Sequence, residues 1–176
     1  MKKLSLMLVL MLTLAACEGD IGPPGPQGPP GLDGDLIIGN ILEIEVDFTA
    51  QNGYSVVYEF PTDQVEVFES DVVQVYLLEE IIDDDSGPVD VWTPLPNSFF
   101  FNDGNQVVYN YNHTFFDVNL FLDGNVDLNT LTNDFLLNQV FRIAIIPADF
   151  AENNPDLNSM EAIMKAMPNA NKIGLN

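Results

Sequence analysis

The groups that could do chemistry in this chain are few and unevenly distributed: Cys17, His113 and Arg142 are the only cysteine, histidine and arginine, whereas aspartate and glutamate number 27. One Cys and one His cannot build a Cys₄, Cys₂His₂ or His₃ zinc site, and one thiol cannot close a disulfide within the chain. His113 has no cysteine partner, and neither Ser86 nor Ser98 sits in a Gly-x-Ser-x-Gly elbow, so no motif marks a nucleophile. Paired carboxylates for glycoside hydrolysis are a matter of spacing, and nothing among the 27 acids singles out a pair. The expectation is a protein that is not an enzyme, with carbohydrate processing as the minor alternative.

The acids suggest two places for a cation. Asp123, Asn125 and Asp127 fall at positions 1, 3 and 5 of a calcium loop, and Asp134 at position 12. Leu128 stands where an EF-hand needs glycine, and strand-like sequence flanks the loop, so a plain Asp-Gly turn is the competing reading. Glu79, Glu80, Asp83, Asp84 and Asp85 form the second acidic group, read either as calcium ligands or as a solvated acidic loop. No other cofactor is expected. Arg142 offers an anion site or a structural pair with a carboxylate, whose geometry the guanidinium matches. Tyr109, Tyr111 and His113 alternate with Asn110, Asn112 and Thr114, a pattern that suits a sugar-binding face and equally an ordinary strand dividing core from surface.

The elements that must position these groups are strands. Leu42, Ile44, Val46 and Phe48 alternate with Glu43, Glu45 and Asp47, the period of a half-buried strand. Runs at 54–60, 72–81, 89–92, 98–102, 106–115, 117–122 and 140–146 follow, rich in Val, Tyr and Phe. Asn52-Gly53 signals a hairpin between the first two strands, and Asp103-Gly104-Asn105 and Asp123-Gly124-Asn125 supply further turns. The run Val140–Ile146 is apolar on both faces apart from Arg142, which predicts a central strand stopped by Pro147. The fold expected is all-β: an antiparallel sandwich of seven or eight strands over 37–150. A helix follows in the 151–176 segment, with Leu157, Met160, Ile163, Met164 and Met167 on one stripe, Asn158 as cap and Pro168 as stop. Its methionines suit either a partner or its own domain, and 169–176 reads as a frayed end.

The first 16 residues read as a secretory signal. Lys2 and Lys3 precede an apolar run, and Ala15-Ala16-Cys17 ends it. Leu4 to Ala16 is too short for the roughly 20 apolar residues of a membrane-spanning helix. Leu14-Ala15-Ala16-Cys17 resembles the lipobox of bacterial lipoproteins, which implies that Cys17 is lipidated and begins the mature chain. Loss of Lys2 and Lys3 leaves 3 basic against 27 acidic residues, a charge of −24. A body so acidic repels phosphate backbones and anionic membrane surfaces, so nucleic acid is excluded as a partner and the lipid alone holds the protein.

From 17 to 36 the chain reads as a tether. Gly19, Gly22, Gly25, Gly28, Gly31 and Gly34 recur every third residue among prolines, the collagen rule. At roughly 3.1 Å per residue the run from Gly19 to Leu36 reaches about 55 Å, as a triple helix or as a monomeric polyproline-II spacer. Charge repulsion favours a monomer, with a homotrimer at most weak and promoted by salt. Lipobox, short Gly-Pro-Pro segment and acidic β body together resemble the small, uncharacterised collagen-like lipoproteins of Bacteroidota. That resemblance implies an outer-membrane envelope location, on the periplasmic or the outer face. The function expected is a lipid-anchored protein displaying a β domain that binds a protein or glycan, or else a structural spacer or assembly subunit of the envelope.

Overall fold

A computed structural model describes residues 39–85, 87–153 and 156–174. The signal segment, Cys17 and the six glycines of the collagen-like run lie outside the described residues. The rest forms a sandwich of two sheets. One contains β1 (Asn40–Val46), β3 (Val72–Asp84), β4 (Gly87–Pro94), β8 (Gln139–Ile146) and β9 (Asn171–Ile173), in the order β4-β3-β8-β1-β9. The other contains β2 (Ser55–Glu59), β5 (Asn97–Phe100), β6 (Gln106–His113) and β7 (Asp117–Gly124), in the order β2-β7-β6-β5. All pairs are antiparallel except β1 with β9, which run parallel.

The alternation in β1 does what its period requires. Leu42, Ile44 and Val46 enter the space between the sheets with Val73, Val75 and Leu77 of β3 and Phe141, Ile143 and Ile145 of β8. They meet Val107, Tyr109, Val118, Leu120 and Leu122 from the opposing sheet. Phe48 joins this core with its ring edge-on to Tyr109 and Phe141. β8 lies centrally as expected, and its second apolar face has its own use. Ile41, Tyr76, Ala144 and Ile146 form a second core against Met160, Ile163 and Met167. The sheet is thus buried on both sides there, a condition that selects continuous apolar sequence over alternation.

Among the described residues three short α-helices, α1 (Asn133–Leu136), α2 (Ala148–Asn153) and α3 (Met160–Ala166), and a 3₁₀ turn at Leu128–Thr130 complete the domain. The methionine stripe of α3 docks on its own sheet, and the Tyr76 hydroxyl donates to the Leu157 carbonyl at 2.5 Å. The cap is Ser159, one residue after the expected Asn158, with its Oγ accepting from the Ala162 N–H at 3.2 Å.

Two further expectations are corrected. Asn52-Gly53 makes a turn but no hairpin, because β1 pairs with β8 and β9 while β2 pairs with β7 in the other sheet. The Asn52 side chain accepts from Thr49 and Tyr54 N–H and donates to the Asp47 carbonyl, fixing a corner between the sheets. Gly53 and Tyr54 both take positive φ there, 64° and 56°. The supposed frayed end contains β9, which adds to β1 from Asn40↔Asn171 to Leu42↔Ile173.

Candidate functional site

Three surface features depart from a plain acidic sandwich. The first is a ribbon. β3 pairs with β8 only over Val72–Leu77 but with β4 from Tyr76 to Asp84, with a register shift between Leu78 and Glu80, so that from Leu78 to Asp84 β4 is its one partner among the described residues. At about 3.3 Å per residue this two-stranded arm extends roughly 20 Å past the last β8 pairing. It points away from the chain's entry: Asn40 and Val73 both pair with Ile145, so β3 starts at the entry end and runs to the opposite one. Ile81, Ile82 and Val89 on it are 57%, 47% and 49% exposed. The acids Glu79 to Asp85 therefore belong to a strand and its turn rather than to a loose loop. Glu79 is tied to the ribbon's root, accepting from the Thr93 hydroxyl at 2.5 Å and the Asn97 amide at 3.4 Å.

The second feature surrounds Arg142. Its Nε donates to Glu43 Oε2 at 2.8 Å, Nη2 lies 3.6 Å from Asp90 Oδ2, and its guanidinium stands 4.0 Å from the centroid of Trp92. Glu43 faces Arg142 directly across the β1–β8 register. This is the structural pairing anticipated from the sequence, with a cation–π stack the sequence did not disclose. A cleft of about 480 Å³ opens beside it, lined by Asp90, Trp92, Arg142, Ser159, Glu161 and Met164. With two carboxylates already on the guanidinium, an anion entering the cleft meets a neutralised arginine. Trp92 Nε1 is buried without a hydrogen-bond partner.

The third feature is aromatic. The turn between β6 and β7 presents Phe115 and Phe116, 41% and 62% exposed, with ring centroids 3.9 Å apart. Thr114 Oγ1 accepts from the Phe116 N–H and donates to Asp117 Oδ1 at 2.8 Å, which locks the turn and drives both rings outward. Phe68, 56% exposed, approaches from the loop before β3. Its N–H donates to Asp71 Oδ2, and its carbonyl accepts from the Asp71 N–H, each at 3.0 Å. A cleft of about 340 Å³ between these loops is lined by Phe68, Glu69, Asp71, His113 and Phe115. Sequence reasoning missed it. The available signal was two phenylalanines at the centre of a Thr-Phe-Phe-Asp turn, where polar residues are the rule.

The other sequence candidates are placed as follows. Asp123 Oδ1 accepts from Gly124 N–H, Asn125 Oδ1 from Gln106 N–H, and Asp127 Oδ1 from the Asn129 backbone and amide N–H. Each of these oxygens thus already holds the chain's exit from β7. The Asn129 side chain, then its backbone N–H, keeps the Asp127 carboxyl below the usual carboxylate range. No group of three or more His, Cys, Asp or Glu suited to a metal occurs among the described residues. Tyr109 and Tyr111 point into the sandwich, their hydroxyls donating to the Phe135 and Val73 carbonyls at 2.7 and 3.1 Å. Of these three rings only His113, stacked on Tyr111, is exposed. Burial pushes the Tyr76 and Tyr109 hydroxyls well above the ordinary phenol range.

No family model matches this sequence, and neither a curated protein nor a solved structure matches it.

Proposed function

We propose that this chain is a lipid-anchored outer-membrane protein of the bacterial envelope, attached through Cys17, that displays a non-catalytic β-sandwich for binding or adhesion. The observation that carries the reading is the β3–β4 ribbon, which leaves the sandwich at the end opposite the chain's entry. A two-stranded ribbon has only marginal stability in water, and an apolar surface held out on one marks an interaction site. Ile82 and Val89, paired across the ribbon, supply that surface on one face and Ile81 stands exposed on the other, and the acids around them bias the ribbon toward a partner with a basic, partly apolar face.

The test is a protein and glycan array probed with the lipid-free mature chain and with an Ile81→Ser/Ile82→Ser/Val89→Ser variant. The reading expects a signal that the variant loses while its thermal melt stays within about 2 °C of the parent. Silence on the array together with a defined oligomer would move the assignment to a structural spacer or assembly subunit. The glycine repeat from Gly19 to Gly34 is the feature that favours this second reading.

A further inference from the structure

We infer that the cleft between Phe68 and Phe115 is a binding site for an alkylammonium group, presented as a lysine side chain of a basic partner. Its place in the fold separates it from the ribbon: Val73, in its wall, pairs with the same β8 residue as Asn40, so it lies at the chain-entry end. A volume of about 340 Å³ falls at the small end of ligand sites, suited to one side chain rather than to a drug-sized molecule.

Three observations select the chemistry. Aromatic rings are the first. Phe68 and Phe115 line the cleft and are 56% and 41% exposed, and a ring face attracts a cation through its quadrupole. Carboxylates are the second. Glu69 and Asp71 share the wall, but their roles differ. Asp71 is engaged with the Phe68 N–H and acts as a positioning residue that holds the aromatic loop in shape. Glu69 is exposed on the same loop and supplies the counter-charge. The third is the field of the whole chain, −22 over 176 residues, which concentrates cations at its clefts and repels anions. Val67 gives the four-carbon stem an apolar wall while the ammonium reaches the acid. A purely apolar side chain would gain the wall and forfeit the attraction of the rings and the carboxylate for a cation.

An NMR titration of the full-length mature chain carrying Cys17→Ser tests this, with N-acetyl-lysine N-methylamide and its norleucine counterpart as probes. The lysine probe is expected to shift amides of residues 67–71 and 113–116, and to bind about tenfold more tightly than norleucine. Glu69→Gln is expected to weaken it about fivefold and Phe115→Ala about threefold, from one cation–π contact at an exposed site. Glu45→Gln on β1, exposed and outside both the cleft and the ribbon, should leave it unchanged. Equal binding of norleucine, shifts spread over the acidic surface, or indifference to Glu69→Gln would overturn the proposal. So would shifts produced by phosphatidylethanolamine vesicles and not by the lysine probe, which would assign the cleft to a lipid headgroup.

Discussion

Replacing Tyr109 by Phe separates two consequences of one buried hydroxyl. Tyr109 is 1% exposed, and its hydroxyl donates to the Phe135 carbonyl at 2.7 Å with Gln139 Oε1 at 3.2 Å. Deleting it keeps the ring packing but leaves the acceptors without their donor, at a cost of about 1.5 kcal/mol. For a domain of this size that lowers Tm by about 5 °C near neutral pH. The same burial raises the hydroxyl's pKa in the folded protein above the value of about 10 that it has when unfolded. The stability it brings is therefore complete below about pH 10. It is lost as pH rises toward the folded pKa, by about 1.4 kcal/mol per pH unit, because only the unfolded chain ionises readily. The variant has no such loss, and Tyr76, which behaves alike in both proteins, cancels. The stability curves should converge near pH 11 and cross above it. Urea unfolding at pH 7, 10, 11 and 11.5 measures this. A gap that stays constant across that range, or no gap at pH 7, would refute the assignment of the hydroxyl to a dry, hydrogen-bonded site.

Other consequences are simpler to test. Gly124 has φ 138°, and a Cβ there would run into the Gln106 carbonyl oxygen, so Gly124→Ala should cost about 3 kcal/mol or more in a thermal melt. Gly104 has φ 84° but open space around it, so Gly104→Ala should cost only about 1 kcal/mol. A double-mutant cycle with Glu43→Gln and Arg142→Met should give a coupling of about 1 kcal/mol, since the pair is 34% and 25% exposed and solvent screens it. Melts in EDTA and in millimolar calcium should superimpose, because Asp123, Asn125 and Asp127 already use oxygens within the turn. A calcium-dependent rise in Tm would instead establish a site there.

Local patterns carried much of the fold into the sequence, and long-range geometry did not. The alternation in Leu42–Phe48 and the two-sided apolarity of Val140–Ile146 each follow from one element's burial, so each is visible in one segment. The methionine stripe of α3 is visible for the same reason. Asn52-Gly53 has hairpin chemistry, yet the chain beyond it enters the other sheet, because partner choice is set by the core and not by the turn. Asn171–Ile173 is too short to show a period, and only the neighbouring edge of β1 makes it a strand. A carboxylate partner for Arg142 was legible from the excess of acids; that it is Glu43, and that the guanidinium stacks on Trp92, depend on the strand registers and were not. The aromatic cleft joins residues 67–71 to 113–115, and no spacing in the sequence brings them together.

The central claim, that the ribbon is the surface this domain holds out for binding, is tested most directly by photo-crosslinking in the native envelope. A photoreactive residue would be placed at position 82 on the ribbon or at position 57 on β2, where Val57 is 59% exposed on the other sheet. The account predicts a discrete adduct from position 82, abolished when Ile81 and Val89 are changed to serine, and none from position 57. Equal adducts from both positions, or an adduct from position 57 alone, would contradict it.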